Sequence, residues 1–409
     1  MHSKKEVAEF LFSSIVFLLL LLAASGLWFT RSYMPDIVLF FSGILLLVII
    51  LLWANKRKIF LLLQYHGIVK DKYDNAITLI KIIALFKIVS IHFAWWSGVY
   101  ASLFYFNGFM LRMFVIASGF GFTLLYLKSN MPFLKLLKHQ MRKLYIAVAL
   151  VLLFLSAVLP FRPSSAAIIS YFRDALMVLL GLFVEEPRLL LNWLFSSHGF
   201  IFHIERYPAT NGALWFISLV LWLYILHEPL LWLFRRVRAE IVLALLFISG
   251  VVLSGYFEFP HKTIIYNVFY FAFGIYFALH YGEFKQILAL KAVGIGFAIL
   301  TAALWFLSSE FRIYHYLFEL FMFLSLYSLF SQPLFKKIRL GKDADRTILF
   351  VYLIHQPLIG IFSFLLWKNY FGALHNAAQY SMYLLILIGT AYLLGLVFKK
   401  VYNYSEHLF

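Results

Sequence analysis

The stretch ITLIKIIALFKIVSIHFAWW, residues 77–96, holds two lysines, a histidine, a serine and a threonine among otherwise apolar side chains. A helix crosses the hydrocarbon of a bilayer with about 20 mostly apolar residues, and in lipid it must satisfy its own backbone groups. The stretch therefore reads as a membrane-spanning helix with polar residues out of place. Eleven positions separate Lys81 from His92. At about 100° and 1.5 Å per residue the two share one face, roughly 16 Å apart along the axis. Lys87 falls on a different face. Taken alone, the pair also fits a lysine that snorkels to the headgroups and a histidine that completes a core hydrogen bond. Ionisable groups within spans are costly unless buried and paired, so their company matters.

Working outward, the whole chain has the same character. Its 409 residues are 64% hydrophobic and 13% charged, against roughly 25% charged in soluble domains. An all-α, polytopic membrane helix bundle is the fold class this implies. Twelve spans are expected, at 7–29, 35–53, 77–98, 109–127, 144–161, 213–234, 239–257, 263–281, 290–308, 313–331, 347–367 and 378–398. Lys4, Lys5 and the apolar run from Ile15 to Ala24 read as an uncleaved first helix. The segment 162–212 carries Arg173, Asp174, Glu185, Glu186, Arg188 and Glu205 and reads as amphipathic helices in an outer loop. No internal repeat and no soluble domain is read along the chain, which leaves the chemistry to the bundle and its loops.

The formal charge of +17 comes from 35 basic against 18 acidic residues. With the amino terminus inside, 24 of the 35 basic residues fall on cytoplasmic segments and eight on outer ones. Lys81, Lys87 and Arg112 lie within spans. The excess thus follows the positive-inside rule, placing both termini in the cytoplasm and the chain in the cell (inner or plasma) membrane, and it does not point to nucleic acid. The chain has no cysteine, so disulfides, thiolate-held metals and a thiol nucleophile are excluded.

Further polar groups mark other spans. Ser118-Gly119-Phe120 sits near mid-membrane, where small residues allow close helix packing. FLKLLKHQMRKLY, residues 133–145, reads as a basic amphipathic stretch on the cytoplasmic side, suited to anionic membrane lipids or to an anionic ligand. Leu214-Trp215-Phe216 leads to Ser218 at the start of the sixth span, and His227-Glu228-Pro229 forms a polar pair beside a proline kink. The eleventh span carries Tyr352-Leu353-Ile354-His355-Gln356-Pro357, where His355 reads as structural, a partner for backbone groups freed by the proline.

In this order the motifs resemble the acyltransferase 3 family of membrane acyltransferases. Lys81 to His92 is similar to that family's basic residue, ten intervening positions and histidine, with Lys in place of the usual Arg. MFVIASGF, Met113 to Phe120, resembles its Phe-Phe-x-x-Ser-Gly-Phe motif. KHQMRKLY, residues 138–145, resembles its basic Arg-x-x-Arg segment through Arg142 and Lys143, without the usual proline. Leu214 to Ser218 matches a Leu-Trp-Phe-x-Ser opening, and Tyr352 to His355 a Tyr-Leu-x-His motif preceded by Leu340-Gly341-Lys342. The Trp-Ser-Leu-x-x-Glu form of many members is absent, with Val220 and Leu221 following Ser218-Leu219 and no acidic residue there.

The resemblance divides the chain into an amino-terminal two-helix hairpin with its linker, 1–74, and a ten-helix acyltransferase-like core, 75–409. It implies transfer of an acyl group, most often acetyl from acetyl-CoA or another acyl-CoA and without a metal, to a hydroxyl of an envelope saccharide or lipid-linked glycan. The transfer would finish within the bundle or on a partner protein. On this reading Lys81, Arg142 and Lys143 hold the donor, and His92 is the general base, a role suited to a group titrating near neutrality. An acyl-histidine relay is the alternative route. Ser118 is the oxyanion candidate, and Trp215, Ser218, Tyr352 and His355 support substrate or structure. The rival reading is a transporter or exporter of a lipid-linked saccharide, against which stands the lack of an inverted repeat.

Overall fold

The computed structural model describes residues 74–97, 109–129, 131–158, 214–253, 262–308, 312–336, 338, 340, 344–367 and 377–408. The first two expected spans and the loop 162–212 lie outside these. The described residues form helices and no strand: α1 (Asn75–Ser97), α2 (Phe109–Ser129), α3 (Phe133–Val158), α4 (Leu214–Arg236), α5 (Ala239–Leu253) and α6 (Ile264–Leu279) come first. They continue as α7 (Tyr281–Leu288), α8 (Lys291–Ser308), α9 (Arg312–Phe330), the single turn α10 (Pro333–Lys336), α11 (Ala344–Trp367) and α12 (Ala377–Leu408).

Each stretch expected to span between 77 and 398 overlaps one of these helices. Among the described residues Asn75–Phe93, Met110–Ser129, Leu214–Arg236 and Met382–Asn403 are long and apolar enough to cross a membrane, and α6 with α7 makes a fifth if taken as one interrupted span. The chain is an all-α, multi-pass membrane protein. The basic stretch 133–145 forms the first half of α3, which runs on without interruption to Val158. No proline or glycine separates the two halves, so nothing breaks the backbone hydrogen bonds between them.

The chain divides into two compact units. Among the described residues one comprises 74–80 with 279–339, and the other 81–278 with 340–409. In the first, α8 and α9 pack along one another. The hydroxyls of Thr301 and Ser325 meet at 2.9 Å, and Ser328 donates to the Leu288 carbonyl at 2.6 Å. Asp74 ties the start of α1 into this unit. One carboxylate oxygen accepts the Ala76 amide at 2.8 Å, an N-cap favoured by the positive end of the helix dipole. The other accepts the phenols of Tyr281 and Tyr327, each at 2.6 Å. Hydrogen bonds to a charged group contribute about 1.5–3 kcal/mol each. Asp74→Ala should therefore lower the melting temperature of the detergent-solubilised protein by several degrees, and Asp74→Asn, which keeps one acceptor, by less. An unchanged melting temperature would show that the carboxylate carries no net stability.

The second unit is built around α6. Every residue from Tyr266 to Ala278 is buried, so this helix has no side for lipid and forms the centre of the unit. Thr263 caps it, its hydroxyl accepting the Tyr266 amide at 3.2 Å. Helices α2 and α6 touch backbone to backbone. A β-carbon at Gly119 would lie 2.3 Å from the Phe271 carbonyl oxygen, and one at Gly274 would lie 2.2 Å from that of Ile116. The outer helices show the opposite pattern. On α5, Ile241, Leu245, Ile248 and Val252 are exposed at a spacing that makes one stripe. On α12, Leu385, Leu393, Leu396 and Val397 are exposed too. Apolar stripes of this size are lipid-facing surface in a membrane protein.

Candidate active site

Two contacts set α1 beside α11. The Lys81 ammonium lies 3.1 Å from a carboxylate oxygen of Asp345, and His92 Nδ1 lies 2.7 Å from His355 Nε2. Eleven residues separate the first members and ten the second. The rises along the two helices are then about 16 and 15 Å, so α1 and α11 run parallel with the ion pair at one level and the histidines at another. The common face predicted for Lys81 and His92 thus meets a second helix that carries Asp345 in its first turn and His355 ten residues on.

The histidine pair has a defined hydrogen-bond direction. His355 Nδ1 donates to the carbonyl of Tyr352, one turn back on its own helix. Its Nε2 therefore carries the lone pair and accepts the Nδ1–H of His92, which makes Nε2 the basic nitrogen of His92. The rings stack with planes 7° apart and centroids 5.0 Å apart. The Gln356 amide nitrogen lies 3.2 Å from His92 Nδ1 and 3.4 Å from its Nε2. His355 is fully buried and His92 half-buried. The arrangement can take a proton at His92 Nε2 and stabilise the resulting imidazolium through His355, as an oriented base requires.

Around the pair stands an aromatic wall. Tyr352 packs on His355 at 5.5 Å, and Phe216 on Tyr352 at 5.3 Å between ring centroids. Trp215 adjoins Phe216 at 6.2 Å. Ser218, one turn on, is fully buried with no partner for its hydroxyl among the described residues. Ser118 shares a hydrogen bond with the Tyr224 hydroxyl, and its neighbour Gly119 makes the backbone contact with α6. In Ser-Gly-Phe the glycine therefore serves packing, which the small size of the residue already suggested.

The other expected site residues are placed less tightly. Lys81 and Asp345 are 18% and 43% exposed, so their ion pair stays wet, contributes on the order of 1 kcal/mol or less, and can exchange partners. Arg142 and Lys143 are half-buried on α3. His227 is buried. Its Nε2 lies 3.0 Å from the Thr123 hydroxyl, and Phe122, Tyr126 and Phe133 surround the ring. Sequence reading missed Asp345 and Gln356 as site residues. The adjacency of Gln356 to His355 was the one signal for the latter. Among the described residues no group of three or more histidines and carboxylates is arranged to hold a metal.

Neither the curated proteins nor the solved structures return a match. A family profile described as an acyltransferase domain matches residues 74–398, from the aspartate that caps α1 to the body of α12. That match takes in every residue of the histidine pair, the ion pair and the aromatic wall, and the chain belongs to the acyltransferase 3 family of membrane acyltransferases.

Proposed function

We propose that the protein transfers an acyl group, most often acetyl, from a cytoplasmic acyl-CoA to a hydroxyl of an envelope saccharide or lipid-linked glycan on the outer side of the cell membrane. The observation that carries this reading is the oriented His92–His355 pair. His92 Nε2 removes the proton of the acceptor hydroxyl as its oxygen attacks the thioester carbonyl. The carbon–sulfur bond then breaks, and the coenzyme A thiolate recovers the proton from the His92 imidazolium. His355 holds the ring in the productive tautomer and stabilises its positive charge, a positioning role one step richer than the structural one read from sequence. Ser118, or the buried hydroxyl of Ser218, supplies a donor to the carbonyl oxygen as negative charge develops there. Trp215 and Tyr352 line the acceptor side.

Lys81, Arg142 and Lys143 face the donor. Coenzyme A is a polyanion, and Lys81 sits about three turns from His92 toward the cytoplasmic end in the orientation set by the basic loops. Its partner Asp345 gives way to donor phosphate. The twelve-span topology with both termini cytoplasmic, the added hairpin 1–74 and the core 75–409 belong to the same reading. Purified protein in lipid discs should release free thiol from acetyl-CoA when an envelope glycan extract is supplied, and mass spectrometry should find the glycan heavier by the acyl group. Lys81→Arg should keep this activity, and Lys81→Ala should raise the apparent KM for acetyl-CoA with little change in kcat. Thiol release without any acylated glycan, or none at all, would reject the transferase reading, and an unchanged KM would remove Lys81 from the donor site.

A further inference from the structure

One polar side chain beside the reacting nitrogen has no part in the base itself. Gln356 follows His355 on α11, so the two side chains reach His92 from neighbouring positions of one helix. The Gln356 amide nitrogen stands against the His92 ring between its two nitrogens, 3.2 Å from Nδ1 and 3.4 Å from Nε2. Among the described residues that side chain makes no other hydrogen bond, and Gln356, like His92, is half-buried.

Hydrogen-bond directions decide which end of the amide faces the ring. His92 carries its hydrogen on Nδ1, directed at His355, and a lone pair on Nε2. An amide oxygen there would set lone pair against lone pair, so the NH₂ end faces the ring. Nδ1 has no lone pair to offer this donor, and 3.4 Å at Nε2 is longer than the usual N–H bond of about 2.9–3.0 Å. An arriving acceptor hydroxyl donates to the same Nε2 lone pair and takes away the last acceptor that the ring presents to Gln356. The amide N–H groups are then left beside the carbon that the hydroxyl attacks. The carbonyl oxygen lies on that carbon, two bonds from the attacking oxygen, and so within reach of a donor 3.4 Å from Nε2. A hydrogen bond to the attacking oxygen would weaken the nucleophile. One to the carbonyl oxygen stabilises charge that develops only in the transition state.

We propose that Gln356 is a catalytic residue, its amide N–H donating to the thioester carbonyl oxygen in an oxyanion hole that a serine hydroxyl completes. The inference deepens the transferase reading and rests on it. As the acceptor oxygen bonds to the carbonyl carbon, the carbonyl π pair moves onto oxygen, where Gln356 holds it. The pair returns as the carbon–sulfur bond breaks, and the departing thiolate takes the proton that His92 removed from the hydroxyl.

The test measures acylated glycan formed from acetyl-CoA and an envelope glycan extract by the full-length protein in lipid discs, alongside thermal unfolding. Gln356→Met, similar in length and without a donor, should lower kcat by about 10²–10³-fold, the loss of one oxyanion donor. Its KM for acetyl-CoA and for the extract should stay within about two-fold, because the lost contact belongs to the transition state. Gln356→Glu keeps the shape, presents a carboxylate in place of the donor, and should lose at least as much. Should Gln356→Met fail to fold, this near-isosteric variant decides. Wild-type kcat in either variant, a loss carried by KM alone, or a loss in Gln356→Met that Gln356→Glu restores would overturn the assignment, the last by marking a side chain that only fills space. No acylated glycan from the wild type rejects the transferase reading itself, whereas transfer by the wild type with undiminished variants rejects the role of Gln356 alone.

Discussion

Replacing His92 with alanine should reduce acyl transfer by about 10²–10⁴-fold, the contribution of a positioned general base. The protein should still accumulate in the membrane, because His92 is only half-buried and the contacts given up are to the side chains of His355 and Gln356. His355→Ala should also lower kcat, by a smaller factor, since the base remains but loses the acceptor that fixes its tautomer. His355→Gln, whose side-chain carbonyl can accept the His92 Nδ1–H, should recover part of the loss. A purely structural His355 would not show this ordering, because both variants would then follow the melting temperature and not the chemistry of the replacement. The measurement is the initial rate of product formation alongside thermal unfolding for each variant. Wild-type rates in His92→Ala would sink the assignment of the base.

The second large effect is expected at Gly274. Its absent β-carbon leaves room for the Ile116 carbonyl oxygen at 2.2 Å and the Phe120 amide nitrogen at 2.9 Å. Both are backbone atoms, so no change of side-chain rotamer relieves the clash. The reciprocal contact at Gly119 against the Phe271 carbonyl means that α2 and α6 cannot slide to make room on one side without closing on the other. Overpacking typically costs about 1–3 kcal/mol, and here the helices themselves must separate. Gly274→Ala should lower the melting temperature strongly, and Gly274→Val should abolish the folded, monodisperse protein. Gly121 is the internal control. It lies two residues from Gly119 on the same helix, with nothing within 4 Å of an added β-carbon. Gly121→Ala should be neutral or gain up to about 1 kcal/mol from helix propensity. Equal behaviour at 121 and 274 would show that the close approach is not what stabilises the pair.

Periodicity within one helix was readable before any coordinates, and that is why Lys81 and His92 could be placed on a common face. Their partners could not. Asp345 and His355 lie more than 260 positions further along the chain, and no local pattern encodes which of several helices will stand beside α1. His355 was read as structural because a histidine before a proline has a sufficient local explanation, and only the approach of His92 supplies a second. Asp74 escaped notice for a similar reason. As an aspartate ahead of an apolar helix it is a cap, and the two phenols that make it more come from positions 281 and 327. At Lys143 and Leu144 the composition passes from basic to apolar while helix propensity runs unbroken, so the change marks the surroundings of α3 and not its backbone.

The burial of α6 bears on the order of events in biogenesis. From Tyr266 to Ala278 this helix offers lipid no surface in the finished molecule, yet as a nascent apolar segment it must first rest in lipid on all sides. Insertion and packing are then separate steps for it, the first driven by hydrophobicity and the second by the fit of its neighbours. Substitutions such as those at Gly274 act on the second step alone. A cell would meet them as a fully inserted but unassembled chain, recognisable to quality control by a central helix that never lost its lipid coat.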